Sequence, residues 1–184
     1  QGWTIDGLTV AITNEASCVS AGFFGSLVVT GASTGTVKNV ILTNLSVAAH
    51  SSGENAYAAG VTAHGINGVI LNCVVAGSVT ATTSNKTAYA GGVAGYIEGG
   101  FVSNCAVSVA VSAVARESVL NNPIINGKAG GVMGDMSAGS TIVDCTVTGS
   151  VRGVVNGSSG FMYVGGVAGS GYAGTIRNCA FSGT

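Results

Sequence analysis

The stretch Gly100-Phe101-Val102-Ser103-Asn104-Cys105-Ala106-Val107-Ser108-Val109-Ala110-Val111 decides the fold. From Cys105 onward apolar residues alternate with Ala or Ser, the period of a strand with one buried face. Its opening half returns as Gly35-Thr36-Val37-Lys38-Asn39-Val40, Gly68-Val69-Ile70-Leu71-Asn72-Cys73, Ser140-Thr141-Ile142-Val143-Asp144-Cys145 and Gly174-Thr175-Ile176-Arg177-Asn178-Cys179. The steps between closing residues are 33, 32, 40 and 34, and self-similarity at a near-constant period marks stacked repeats. A lone strand of this kind cannot bury its apolar face. Stacking equivalent strands from successive units buries it and satisfies the backbone.

The sequence therefore predicts an all-β fold, a parallel β-solenoid of about five coils, as a right-handed, three-sided β-helix about 24 Å long at roughly 4.8 Å per coil. One domain spans residues 1–184, with 1–21 as a leading partial coil and 22–184 as the repeats. Each unit carries a small-residue run (Ala59-Gly60-Val61-Thr62-Ala63, Gly91-Gly92-Val93-Ala94-Gly95, Gly130-Gly131-Val132-Met133-Gly134, Gly165-Gly166-Val167-Ala168-Gly169), with Gly22-Phe23-Phe24-Gly25 as its degenerate first copy. Glycine there permits close backbone approach or a tight bend. A turn, the Asn-Cys phrase and an alternating strand follow. The inward phase changes at the Asn, so a bend or bulge is expected between the two registers. Variable stretches at 80–88, 112–128 and 152–162 read as excursions between units, the places where solenoids carry function.

Equivalent residues of stacked coils point the same way. Val40, Cys73, Cys105, Cys145 and Cys179 are expected to form one inward column, and Asn39, Asn72, Asn104 and Asn178 an amide ladder. Asp144 interrupts that ladder, either accepting from the flanking amides or facing water. The column cysteines read as small buried hydrophobes, although vertical disulfides fit the spacing of neighbouring strands. Cys18 stands outside the column.

Gly-Gly-Val-Ala-Gly at 91–95 and 165–169, with Asn-Cys ten residues on and a Val-x-Gly-x-Val strand, resembles the GLUG repeat of bacterial surface proteins, over roughly residues 22–184. GLUG repeats occur in secreted or wall-anchored proteins, among them adhesin-like proteins and the non-catalytic part of some IgA-specific metallopeptidases. The resemblance implies an extracellular or cell-surface segment, stalk-like or binding, and carries over no catalytic residue.

Composition and chemistry agree with that expectation. Charged residues are 7% of the 184 and the net charge is −1, too little and too scattered for a phosphate-tracking surface, so nucleic acid is set aside. No apolar stretch approaches the roughly 20 residues of a membrane helix. The opening on Gln1 and the close in mid-phrase read as a mature or excised piece of something longer. His50 and His64 lie in no His-Glu-x-x-His motif, and neither metal nor cofactor is expected; His64 reads as a turn residue. Glu98 and Asp135 occupy comparable turns, and a polysaccharide-degrading β-helix enzyme would need them to converge. Three glycosylation sequons, at Asn44, Asn85 and Asn156, are at chance level. Tyr57, Tyr89 and Tyr163 precede the small-residue run and are expected to align, either shielding the sheet or stacking on sugar rings. The expected function is a non-catalytic structural or adhesive module, a stalk or a self-assembling filament segment. The alternative is a carbohydrate-binding module using the tyrosine row and the 112–128 loop. The partner would be a second copy or a host or cell-surface glycan or protein.

Overall fold

The protein is described by a computed structural model covering residues 2–30, 35–116, 125–157 and 159–184. It consists of strands, with no helix among the described residues, and every strand pairing is parallel. The chain winds through four sheets per turn, and each sheet takes one element from each successive coil. The longest sheet stacks Trp3–Asp6 and Thr9–Asn14, Val40–Ser51, Val74–Thr83, Ala106–Arg116, Thr146–Val147 and Val151–Asn156, and then Ala180–Phe181. The second sheet stacks Val19–Ala21, Ala56–Ala59, Thr87–Gly91, Ile125–Gly130 and Gly160–Gly165. Phe24–Val28, Thr62–Ile66, Ala94–Glu98, Met133–Met136 and Ala168–Gly171 form the third; Thr36–Lys38, Val69–Leu71, Phe101–Ser103, Thr141–Val143 and Thr175–Arg177 form the fourth. This is the parallel β-solenoid of about five coils that the repeat predicts, with four sheets per turn where a three-sided coil is expected, because the small-residue run and the Asn turn each add a corner.

Alternation sets the long strands. In Ala106–Arg116 the residues Val107, Val109, Val111, Ala113 and Ala115 are buried, while Ala106, Ser108 and Ala110 face out. Val107 stacks between Val75 and Val147, and Val111 between Val79 and Val151. Ala81 and Ala113 fill equivalent slots, so the interior narrows toward the second sheet.

The small-residue run forms the corner between the second and third sheets. There the coils meet peptide on peptide: Gly60, Val61 and Thr62 donate their N–H groups to Gly92 and Val93, and Gly92, Val93 and Ala94 donate in turn to the coil above. A methyl group on Gly131 would overlap the Gly166 carbonyl and the Val147 side chain, which is why the slot is glycine. Gly22-Phe23-Phe24-Gly25 occupies the same corner in the first coil, with Phe23 and Phe24 donating to Gly60 and Val61.

The variable stretches are not excursions over most of their length. Residues 80–83 and 87–88 are strand, and so are 112–116, 125–128, 152–156 and 160–162. Of the 112–128 loop, residues 117–124, including Glu117 and Pro123, lie outside the described residues, as does Ser158 of the third sequon. The Ser/Thr/Ala segments at the edges of these stretches continue the ladders of the coils beside them, so stacking absorbs them into sheets.

Candidate functional site

Two constellations were singled out by the sequence, the Asn-Cys corner and the tyrosine row. At the corner, Asn39, Asn72, Asn104, Asp144 and Asn178 all adopt left-handed backbone, with φ of 58°, 53°, 52°, 55° and 51°. Asn and Asp tolerate that region better than other L-residues with a Cβ. The turn it makes allows Val102 and Cys105, three residues apart, to both face inward; an extended chain would put them on opposite faces. The Asn72 amide donates to Asn39 Oδ1 at 3.2 Å, and Asn104 donates to Asn72 Oδ1 at 2.9 Å. Asp144 is exposed.

Behind the ladder, Cys73, Cys105 and Cys145 are buried and Cys179 is half-buried; all five cysteines are free thiols. Each column thiol donates to the carbonyl two residues before it, at 3.2–3.3 Å. Hydrogen bonding to Cys145 and Cys73, reinforced by burial, pushes the Cys105 thiol up from its ordinary range. Access controls thiol chemistry here. With a thiol-specific reagent on the native protein, we expect exposed Cys18 to react first and Cys179 slowly, while Cys73, Cys105 and Cys145 react only after unfolding. Rapid titration of all five in the native state would contradict the buried column.

The tyrosine row lines up, with one substitution. Tyr57 and Tyr89 are adjacent in register, Lys128 takes the next slot and Tyr163 the one after. The Tyr57 and Tyr89 rings stack at 4.7 Å and 8°. The Lys128 ammonium lies 5.5 Å from the Tyr89 centroid and 5.8 Å from that of Tyr163, within the range of cation–π attraction. A second column faces the first across the glycine corner: His64, Tyr96, Asp135 and Ser170 occupy equivalent slots on the third sheet. His64 stacks on Tyr96 at 5.4 Å and meets Tyr57 edge-on at 5.2 Å. Lys128 Nζ donates to Asp135 Oδ2 at 2.7 Å, and Ser170 Oγ donates to Asp135 Oδ1.

These contacts limit what the two columns can do. A sugar-binding aromatic platform needs a free ring face; here Tyr57 and Tyr89 cover each other, and Lys128 approaches the Tyr89 ring. The arrangement favours shielding of the corner over sugar stacking. His64 is a half-buried strand residue and not the turn residue that sequence suggested. Glu98 and Asp135 do not share a level either: Asp135 pairs in register with Tyr96, while Glu98 is exposed and accepts the Tyr96 hydroxyl at 3.4 Å. Asp135 is already engaged by Lys128 and Ser170.

Sequence reading missed Tyr96 and the partnership of Lys128 with Asp135. A signal existed: Tyr57/His64, Tyr89/Tyr96, Lys128/Asp135 and Tyr163/Ser170 are each seven residues apart, straddling the small-residue run. Because their chemical types differ from coil to coil, a search for matching residues passes over them.

The two columns leave a pH signature. Burial holds the His64 imidazole below its ordinary value, opposed by the Glu98 charge. The unfolded chain then takes up that proton first, so stability falls as pH drops through about 6.5. Burial, then the neighbouring Tyr89, pushes the Tyr57 phenol up to about 12. The unfolded chain loses that proton first, so stability also falls above about pH 10. Urea melts across pH should show a plateau between these limbs. His64→Phe should flatten the acid limb and leave the alkaline one; an unchanged acid limb would contradict the assignment.

Residues 162–184, the end of this stack, match the family described as the GLUG motif. The chain carries a GLUG motif. The matched segment holds the last small-residue corner and the last Asn-Cys phrase, and the coils beneath this GLUG coil repeat its register. Among solved structures, a candidate immunoglobulin A1 protease from Bacteroides ovatus is similar in fold, with a TM-score of 0.62 at 22% identity. The likeness covers 96% of this chain and 57% of that one, so the GLUG-bearing chain spans little over half of the solved protein. Comparison with curated protein sequences finds no match.

Proposed function

We propose that this β-helix repeat protein is a non-catalytic structural or adhesive module, a rigid spacer within an extracellular or surface-anchored bacterial protein. The observation that carries the reading is the parallel register kept from coil to coil, with one irregularity between Val75 and Gly77, and the polar groups bonded to one another within and between coils. Lys128, Asp135 and Ser170 bond among themselves, and the asparagine amides bond along the axis. Such a stack transmits position along its length, since each coil is fixed by its neighbours. This chain matches 57% of the longer solved protein of similar fold, and in a protein of that kind it would supply the β-solenoid part.

The test is surface labelling of intact cells that produce the gene product containing these coils, with an antibody raised against residues 1–184. Labelling without permeabilisation is expected. Signal appearing only after lysis would overturn the placement.

A further inference from the structure

We propose that the thiol column binds soft, two-coordinate cations of the Cu(I) class, each ion held between the sulfurs of neighbouring coils, one between Cys73 and Cys105 and one between Cys145 and Cys179. The four residues are stacked in register: Ala106, Thr146 and Ala180 each donate an N–H at 2.9 Å to a column carbonyl one coil away, those of Cys73, Cys105 and Cys145 in turn. Each thiol donates to the carbonyl two residues before it in its own coil. All four side chains therefore point the same way, and neighbouring sulfurs lie one coil apart, about 4.8 Å. That separation decides what can join them. The Cα spacing alone admits a disulfide, but a disulfide also needs Cβ atoms about 3.8 Å apart and sulfurs at about 2 Å, so the stacked coils would have to close on each other. Metal–thiolate bonds run about 2.3 Å, and two in line span roughly 4.6 Å, which fits between coils that do not move.

The ligand set selects the class of ion. Among the described residues no three His, Cys, Asp or Glu side chains converge as a metal site, which leaves nothing to build the four-ligand shell of Zn(II). Thiolate sulfur selects soft ions such as Cu(I), and a monovalent ion of that kind is satisfied by two ligands in line. Cys73, Cys105 and Cys145 belong to the aliphatic core with Val75, Val107 and Val147, so water is kept from completing a larger shell. Hydrogen bonding from Cys105 holds the Cys73 and Cys145 thiols below their ordinary range, against the opposing effect of burial, and this eases the proton loss that ligation requires. Each ion displaces two thiol protons, which pass to solvent, and the unit left behind carries one negative charge spread over two sulfurs with the cation between them. Pairing starts at Cys73, because Val40 fills the adjoining slot of the first coil and has no ligand to give.

The test uses residues 1–184 carrying Cys18→Ser, which removes the exposed thiol. The chain is refolded from urea with Cu(I) under anaerobic conditions, so that burial does not limit entry, and excess glutathione then strips loosely held metal. Native mass spectrometry should count two copper ions per chain, and X-ray absorption should find two sulfur neighbours around each. Two further variants of equal thiol content separate stacking from the mere number of sulfurs. Cys73→Ala with Cys105→Ala leaves Cys145 and Cys179 as neighbours and should keep one ion. Cys73→Ala with Cys145→Ala leaves Cys105 and Cys179 two coils apart and should keep none. Circular dichroism establishes that each variant holds its sheet content, and the copper count and sulfur shell of the chain with all four column thiols decide the matter if a variant does not fold. No retained copper, three sulfurs around each ion, or equal retention by the two variants overturns the inference. Zn(II) put through the same treatment should be lost, and its retention would overturn the two-coordinate assignment.

Discussion

Gly131→Val should abolish folding or destabilise the protein by about 3 kcal/mol or more, measured as the shift in a urea or thermal melt. The new side chain would start inside the contact distance of the Gly166 carbonyl and of Val147. Overpacking in a core is often relieved by a neighbouring rotamer. Here the obstacle includes backbone that is itself stacked, with Gly131 donating to Gly165 and Val132 to Val167. Val147 is buried and has no space to yield. A melt within about 0.5 kcal/mol of the parent, the usual range for a surface change, would show that the corner opens more readily than peptide-on-peptide packing allows.

Asn104→Ala comes next, with a loss of about 1.5–2 kcal/mol. Placing alanine in left-handed backbone costs roughly 1 kcal/mol, and losing the exposed amide bond to Asn72 costs about 0.5–1 kcal/mol more. The two contributions separate experimentally. Asn104→Gly keeps the backbone permissible and removes the ladder bond, so its loss should be smaller than that of the alanine variant. Equal losses would mean that backbone conformation contributes nothing at this corner. A glycine variant worse than alanine would contradict the assignment of φ as the leading cause.

The residues that proved legible are those whose physical requirement is the same in every coil. Asn39, Asn72, Asn104 and Asn178 recur because each turn needs a left-handed residue. The glycines at 60, 92 and 131 recur because each corner brings peptides together. Identical demands leave identical letters, and the solenoid could be read from them. Where the demand is only for something small, or only for mutual fit between two columns, the letters vary. Thr80, Ala81, Thr82 and Thr83 continue a strand, yet their low contrast between inner and outer faces reads as a loop. Lys128 stands in a tyrosine slot because a cation over Tyr89 satisfies the ring as another ring does, and no pattern of matching residues reveals that. His64 reads as a turn residue until the third sheet places it against Tyr96. Function suffered most from this, since the meaning of the two columns lies in which faces are already covered.

The central claim is that like positions of consecutive coils lie above one another, and sulfur anomalous scattering from crystals tests it most directly. Cys73, Cys105, Cys145 and Cys179 should give four peaks in a nearly straight file, one per coil, at steps of about 4.8 Å, with Cys18 well off the line. Four peaks dispersed through the molecule, or a file with a gap in it, would contradict the stack on which everything else depends.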